Sequence, residues 1–212
     1  MENDKTLSGL YPFLDKDNIA SPDLLDSLNK KVEDSINAKQ IFFQNNADKI
    51  IQAAQIIAKC YQQGGHLFVM GNGGSACDAA HITTEFMHPV TTGRKALGVT
   101  NLTADIATMT AVANDVGIDH VFLRQLICLA RKNDVLIGFS TSGNSTNLIQ
   151  AFAQAKEMGL ATIGFSGQTG GEMAKIDTVD LCLTVETDSI HRVQESHLTT
   201  YHILWDLVHS IL

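Results

Sequence analysis

Two residues that can transfer protons or bind a metal ion, His81 and Glu85, lie four positions apart within Gly71–Phe86, GNGGSACDAAHITTEF. In a helix this spacing puts both side chains on one face. The stretch follows an apolar run, residues 66–70, that indicates a buried strand, and it passes through glycine and serine into a helical pattern. A strand, a glycine turn and a helix start present backbone N–H groups and a positive dipole end to an anion. The combination predicts chemistry on a phosphorylated small molecule.

A second loop, residues 140–145 with the sequence STSGNS, is rich in hydroxyl groups. It lies between a predicted strand ending at Phe139 and a predicted helix beginning near Thr146. Hydroxyls, a glycine and a helix N-terminus form an anion site without Lys or Arg. The alternative is an ordinary strand-to-helix loop with a serine N-cap. Because both loops would lie at the carboxyl edge of a parallel sheet, where ligands bind, a phosphate site is favoured.

Neither glycine-containing loop matches a common nucleotide motif. The pattern G-x-x-x-x-G-K-[ST] is absent, so a nucleotide-hydrolysing P-loop is not expected. The first loop also fails G-x-G-x-x-G, because Ala76 stands where the third glycine belongs. A nicotinamide cofactor is therefore disfavoured.

Polar residues in two further segments are ambiguous from the sequence alone. Asn114 and Asp115 precede Val116-Gly117, and such residues usually close a turn. Gln194 and His202 belong to a predicted C-terminal helix and lie eight residues apart, about 80° around its axis. These two side chains can converge on one site only if that helix packs beside it.

Short apolar runs alternate with helical segments, which is typical of a parallel sheet covered on both faces. A helix is predicted from the start signal Ser21-Pro22-Asp23 to about Tyr61, with a break near Asn45-Asn46. Residues 1–20 are predicted to be an irregular arm and residues 21–212 one domain. The predicted strands are 66–71, 96–102, 134–140, 161–166 and 179–185, and the predicted helices are 75–88, 104–113, 119–131, 145–158 and 190–211.

Composition limits the classes of function. The 212 residues are 44% hydrophobic and 18% charged, so a substantial core can form, and the net charge of −8 disfavours nucleic acid as a partner. No run of about 18 apolar residues and no signal-peptide pattern occurs, which favours no membrane association and a cytoplasmic location. The four cysteines are widely spaced and are expected to be buried free thiols: Cys60, Cys77, Cys128 and Cys182.

Taken together, the motifs resemble the SIS (sugar isomerase) domain family, and within it the enzymes that isomerise sedoheptulose 7-phosphate. The resemblance covers roughly residues 25–212 and depends on Gly71–Phe86, VANDVG at 112–117, STSGNS at 140–145 and QESHLTTYH at 194–202. It implies a flavodoxin-like three-layer α/β sandwich with a central parallel sheet, preceded by N-terminal helices. It also implies a homotetramer with active sites between subunits, a phosphorylated sugar as substrate, and formation of D-glycero-D-manno-heptose 7-phosphate for nucleotide-heptose and lipopolysaccharide synthesis.

The resemblance also implies roles for individual residues. Glu85 and His202 would be the acid/base pair. A zinc ion, one per subunit, would lie between His81, Glu85, Gln194 and His202, a mixed donor set that suits a catalytic site. The substrate would be bound by Asn72, Gly73, Gly74, Glu85, Asn114, Asp115, Ser140, Thr141, Ser142, Ser145 and Gln194.

Two positions depart from the family pattern. Pro89 stands where the family often has Arg, four residues after the catalytic Glu, although Arg94 follows in a loop that can differ in shape. His191 replaces a frequent Asp three residues before the ligand Gln. Two alternatives therefore stay open: an isomerase or sensor for another sugar phosphate, and a non-catalytic SIS adaptor that binds a replication initiator. Retention of the four metal-site residues favours an enzyme over the adaptor.

Overall fold

Helix α1, Leu24–Gln62, opens the part of the chain that this computed structural model describes, residues 23–212. The helix is continuous, so the predicted break near Asn45-Asn46 is wrong. Asn46 is buried, and its Nδ2 donates to the carbonyl oxygen of Phe42 at 3.0 Å. Because the amide finds its partner one turn back in the same helix, it does not need to leave the helical path.

The remaining elements match the predicted order, and most of their bounds agree within two residues. The chain continues with β1 (Leu67–Gly71), α2 (Gly74–Met87), β2 (Val99–Asn101), α3 (Ile106–Asp115), a 3-10 turn (Ile118–His120), α4 (Val121–Leu129), β3 (Val135–Ser140), α5 (Thr146–Glu157), β4 (Ala161–Gly167), β5 (Leu181–Val185) and α6 (Ile190–Ile211). None of the helices in the described residues is long and apolar enough to cross a membrane.

The five strands form one sheet in the order β2-β1-β3-β4-β5, and every pair is parallel. This is the flavodoxin-like order, in which the chain reverses its direction of winding between β1 and β3. The predicted fold class is confirmed. The carboxyl ends of β1 and β3 therefore lie side by side, which brings the two sequence-predicted anion loops together.

Two apolar layers cover the two faces of the sheet. Val69 and Ile137 pack with residues of α1, α2 and α6, whereas Phe68 and Leu136 pack with residues of α4 and α5. Neighbouring residues of each strand thus point to opposite faces, as the pleat requires. Both faces are buried, which is why the strands are almost uniformly apolar in sequence.

Strand β2 is shorter than predicted because the residues before it bond elsewhere. The backbone N–H of Leu97 donates to the carbonyl oxygen of Phe86, at the end of α2. The carbonyl oxygen of Gly98 accepts the hydroxyl of Tyr61 at 3.1 Å. With these groups engaged by helices, pairing with β1 is limited to residues 99–101.

The expectation for the cysteines is partly wrong. All four are free thiols, but Cys77 and Cys128 are exposed, Cys182 is half-buried and only Cys60 is fully buried. Both exposed cysteines lie on the outer faces of helices. Their apolar neighbours in the sequence do not show which face of the helix they occupy. Residues 37–212 form one compact unit, and the described residues before Asn37 belong to another. The predicted arm, residues 1–20, lies outside the described residues, so the boundary at residue 20 stays a prediction.

Candidate active site

The loops that follow β1 and β3 meet through a pair of asparagine side chains. Asn72 Nδ2 donates to Asn147 Oδ1 at 2.9 Å, and Asn147 Nδ2 donates to Asn72 Oδ1 at 3.0 Å. Asn72 is exposed, whereas Asn147, in the first turn of α5, is buried. The reciprocal bonds connect the first loop to the helix that follows the second loop and fix the two N-termini of α2 and α5 relative to each other.

The N-terminus of α2 is exposed to solvent, and one side chain of α6 approaches it. Gly73 is the N-cap residue and has φ 55°, a left-handed conformation that favours glycine. A Cβ atom at Gly74 would lie 2.2 Å from Gln194 Nε2, so glycine is what allows the Gln194 amide to approach the helix start. The predicted binding residues Asn72, Gly73, Gly74 and Gln194 are therefore brought together.

His81, Glu85 and His202 form a cluster whose ligand atoms all lie within 4.8 Å of one another. His81 Nε2 is 3.1 Å from Glu85 Oε1, and the imidazole rings of His81 and His202 are 5.0 Å apart in an edge-to-face arrangement. The side chains of His81 and Glu85 are 40% and 28% exposed, so a ligand can reach them. Helix α2 and the C-terminal helix therefore each contribute side chains to this cluster.

The packing of α6 against α2 explains how residues more than one hundred positions apart converge. Tyr201 contacts His81, and the indole Nε1 of Trp205 donates to the carbonyl oxygen of Glu85 at 2.8 Å. With Gln194 beside Gly74, each contact joins residues 120 positions apart. Two helices with a constant offset run parallel and in register. Their common direction places Gln194 at the N-terminus of α2 and His202 about two turns further along.

The donor set of the cluster fits a zinc ion. Two imidazoles and a carboxylate are common zinc ligands, and adjacent donors in tetrahedral zinc lie roughly 3.4 Å apart. The 3.1 Å between His81 Nε2 and Glu85 Oε1 is close to that separation. It is the only group of three or more His, Cys, Asp or Glu residues able to hold a metal ion within residues 23–212. Half-buried donors leave room for a further ligand, which suits a catalytic rather than a closed structural site.

The serine loop is held by its own side chains. Ser140 Oγ and Ser145 Oγ are 2.9 Å apart, and Ser142 Oγ accepts the backbone N–H of Asn144 at 3.2 Å. Asn144 Oδ1 in turn accepts the backbone N–H of Glu172, which anchors the loop to the segment after β4. Ser140 is buried, Thr141 and Ser145 are half-buried, and Ser142 is exposed. The loop thus presents hydroxyls at the N-terminus of α5, where the first N–H groups of the helix lack intrahelical partners.

Three buried groups near the site have strongly shifted pKa values. Burial raises the pKa of the Asp78 carboxyl from 3.8 to about 7, and its Oδ2 has no hydrogen-bond partner among the described residues. Burial, with the charges of Asp78 and Glu85, raises the pKa of the Tyr201 hydroxyl. Burial lowers the pKa of His197 to about 4, so this histidine is neutral at pH 7 and donates Nε2–H to the carbonyl oxygen of Ser166.

Some sequence-predicted residues lie away from the cluster within this chain. Asn114 and Asp115 form the last turn of α3 rather than a loop, are exposed, and bond to each other at 2.8 Å. Arg94 donates to the carbonyl oxygen of His209 and lies over the ring of Trp205, at the far end of α6. His191 is exposed in the first turn of α6. The predicted roles of Asn114 and Asp115 in sugar binding therefore stay predictions.

Sequence reasoning missed three residues that the structure places at or beside the site: Asn147, Tyr201 and Asp78. Asn147 follows the serine loop directly, but its partner Asn72 is 75 positions away and only the sheet order joins them. Tyr201 lies among apolar residues of the C-terminal helix, and an aromatic side chain in such a position indicates core packing rather than a polar contact. Asp78 lies three residues before His81, and this spacing was the one local signal available for it.

Comparisons with known proteins agree with this geometry. Residues 32–167 match the model of the SIS domain. The chain is 40% identical to the phosphoheptose isomerase of Thermodesulfovibrio yellowstonii over 187 residues, covering 88% of this chain and 92% of the relative. It is 42% identical to that of Thiobacillus denitrificans over 167 residues, covering 78% and 85%.

Solved structures give the same result. The phosphoheptose isomerase of Neisseria gonorrhoeae superposes with a TM-score of 0.82 at 36% identity, covering 88% of this chain and 99% of the other. The enzyme of Francisella tularensis superposes with a TM-score of 0.83 at 32% identity, covering 88% and 98%. The parallel sheet, the two helix N-termini at its switch point and the sequence match define a protein of the SIS domain family. Within that family, the chain belongs to the phosphoheptose isomerases.

Proposed function

We propose that this protein is an aldose–ketose isomerase that converts sedoheptulose 7-phosphate to D-glycero-D-manno-heptose 7-phosphate in heptose biosynthesis. Membership of the phosphoheptose isomerases supports this activity. The observation that carries it is the cluster of His81, Glu85 and His202 beside two helix N-termini at the carboxyl edge of the sheet. One part of this arrangement can move protons and the other can bind a phosphate.

The phosphate is assigned to the serine loop, where Ser140, Thr141, Ser142 and Ser145 surround the N-terminus of α5. Neutral hydroxyls, backbone N–H groups and the helix dipole bind an anion without a cationic side chain. Binding the phosphate away from the reacting carbons lets its binding energy orient the sugar. Asn72, Gly73, Gly74 and Gln194 then face the end of the sugar that reacts.

The isomerisation moves a proton between C1 and C2 through an enediol. We assign Glu85 as the base that removes the proton from C1 and returns it to C2, and His202 as the group that exchanges protons with O1 and O2. Glu85 contacts His81 through Oε1, which leaves the second carboxylate oxygen for the carbon proton. A positioned acid or base of this kind contributes about 10²–10⁴-fold to a rate.

We further propose that a zinc ion is held by His81, Glu85, His202 and the nearby Gln194. When bound, the ion would polarise the sugar carbonyl and favour the enediol. The half-buried donors and their separations support this assignment. Glu85 would then have two tasks, and its two carboxylate oxygens allow one for each.

A homotetramer with active sites between subunits remains part of the proposal, as does the cytoplasmic location. Helix α3 supports the first point, because none of its residues is buried in the single chain. Asn114 and Asp115 end this helix and face solvent. In a tetramer they would be available to the sugar bound by a neighbouring subunit.

The direct test is to incubate the zinc-loaded protein with sedoheptulose 7-phosphate and follow the aldose by NMR. The wild type is expected to form the heptose phosphate, and Glu85→Gln to lose about 10²–10⁴-fold in turnover. Glu157→Gln, an exposed residue at the end of α5, is the matched control and is expected to keep full activity. Equal turnover by the wild type and Glu85→Gln would remove Glu85 from the mechanism.

The alternative is an isomerase or sensor for another sugar phosphate, because Pro89 and the exposed His191 depart from the family pattern. Thermal shifts with a panel of ketose and aldose phosphates distinguish it, since a ligand that binds only the folded state raises the apparent stability. A larger shift with a pentose or hexose phosphate than with sedoheptulose 7-phosphate would favour this alternative. A folded protein that binds neither metal nor any sugar phosphate would favour the adaptor.

A further inference from the structure

The two ring nitrogens of His81 face different partners. Nε2 points to Glu85 Oε1 at 3.1 Å, within the candidate metal cluster. Nδ1 is 2.8 Å from the hydroxyl oxygen of Tyr201, which is only 1% exposed. The phenol belongs to α6 and crosses to α2, so the histidine is held from behind by a buried group that does not itself reach the cluster.

We propose that Tyr201 is a positioning residue: through its hydrogen bond to Nδ1, it fixes the ring orientation of His81 and directs Nε2 towards the metal ion. This inference rests on the proposed zinc site. A histidine that binds a metal usually donates its other N–H to a fixed acceptor, and that acceptor sets both the tautomer and the direction of the ring. Here a tyrosine occupies the place where a carboxylate or backbone carbonyl is common.

A hydroxyl suits this position because it can donate or accept a hydrogen bond. Without metal, the Tyr201 hydroxyl can donate to Nδ1 while Nε2–H of His81 donates to Glu85 Oε1. If Nε2 bound a metal ion, its proton would be released to solvent, Nδ1 would take one up, and the Tyr201 oxygen would accept the Nδ1–H hydrogen bond. A backbone carbonyl would serve only the second state.

Asp78 offers an acceptor for the tyrosine hydrogen in the second state. It lies on α2 one turn before His81 and is only 7% exposed. Its Oδ2 has no hydrogen-bond partner among residues 23–212. The charge of Asp78 contributes to the raised pKa of the Tyr201 hydroxyl.

Tyr201→Phe tests the hydroxyl without disturbing the packing. The ring of Tyr201 lies edge-to-face against those of His81 and His202, with centroids 5.4 and 5.1 Å away, and phenylalanine keeps these contacts. The matched control is Tyr61→Phe. It removes a hydroxyl that donates to the carbonyl oxygen of Gly98, which precedes the N-terminal end of β2 and so lies away from the carboxyl edge of the sheet. Zinc affinity is measured by competition with a chromophoric chelator, and the ring tautomer of His81 by ¹⁵N NMR on the zinc-free protein.

Tyr201→Phe is expected to bind zinc about 10–100-fold more weakly, while Tyr61→Phe binds it as the wild type does. In the zinc-free wild type, His81 is expected to carry its proton on Nε2, and in Tyr201→Phe to populate both tautomers. Unchanged zinc affinity together with an unchanged tautomer would overturn the inference. If the wild type itself binds no zinc, the proposed metal site fails, and the NMR comparison alone decides whether Tyr201 fixes the ring.

Discussion

Replacing Asp78 by asparagine is expected to raise the free energy of unfolding at pH 8, although aspartate belongs to the native sequence. The carboxyl is 7% exposed, and its Oδ2 has no hydrogen-bond partner among the described residues. Burial therefore raises its pKa from 3.8 to about 7. Each unit of pKa difference between folded and unfolded protein corresponds to about 1.4 kcal/mol, so the charged form costs the folded state roughly 4 kcal/mol above pH 7.

The sign follows from where the proton is held. Between pH 4 and 7 the folded protein keeps the Asp78 proton while the unfolded chain has lost it, so this residue makes stability fall as pH rises through that range. An asparagine has no charge to bury, but its amide still lacks a partner, which costs about 1–3 kcal/mol. A net gain of about 1–3 kcal/mol is therefore expected at pH 8, and none near pH 4.

Asp134→Asn is the matched control because it is expected to have the opposite effect. Asp134 is 5% exposed, but its two oxygens accept the backbone N–H groups of His66 and Arg131 at 2.8 and 2.7 Å. An amide can accept only one of these bonds and turns its NH₂ group towards the other donor. A loss of about 1–3 kcal/mol is expected at pH 8.

Urea unfolding of the zinc-free wild type and both variants at pH 8, 6 and 4 measures these differences. The reasoning would be refuted if Asp78→Asn gave no gain at pH 8, or a gain that did not shrink as the pH fell. Equal and negative effects of both substitutions would mean that the Asp78 carboxyl has a partner in solution, such as a buried water molecule.

Three further predictions follow from single contacts. Gly74→Ala is expected to displace the Gln194 amide and lower turnover by up to about 10²-fold without lowering the melting temperature; NMR assay and calorimetry check both. Asn147→Leu is expected to destabilise the fold by about 1–3 kcal/mol in urea, because two bonds to Asn72 are lost. His197 has a lowered pKa of about 4, so its contribution to stability should fall by up to about 3 kcal/mol between pH 6.5 and 4, and the stability difference between the wild type and His197→Gln should change by that amount over this range.

The sequence was sufficient for the fold because periodicity and turn residues report on local structure. Strands buried on both faces appear as apolar runs, and α6 was predicted with its observed bounds, Ile190–Ile211. Prediction failed where a hydrogen bond that the residue types did not indicate decided the local structure. Asn46 suggested a break but is satisfied inside α1, and the residues before β2 bond to helices instead of the sheet.

The candidate site was predictable only in part, for a related reason. Residues four apart on one helix, such as His81 and Glu85, are neighbours by geometry, so the sequence identifies the pair. Adding Gln194 and His202 from the residues alone required knowing which helix packs against α2, and there the family resemblance supplied what spacing did not. Tyr201 was hidden because an aromatic residue in an apolar stripe is usually core, and it is core here as well as a partner of His81.

The constant offset between α2 and α6 has a consequence for how the site tolerates change. Gln194, Tyr201 and Trp205 each contact α2 at matched positions, so a slip of α6 by one turn, about 5.4 Å, would break all three contacts at once. Buried side chains of α6, such as Leu204, oppose that slip through close packing in the core. Substitutions that create space at this interface should therefore reduce activity more than their cost in stability suggests, because the cluster needs both helices in one register.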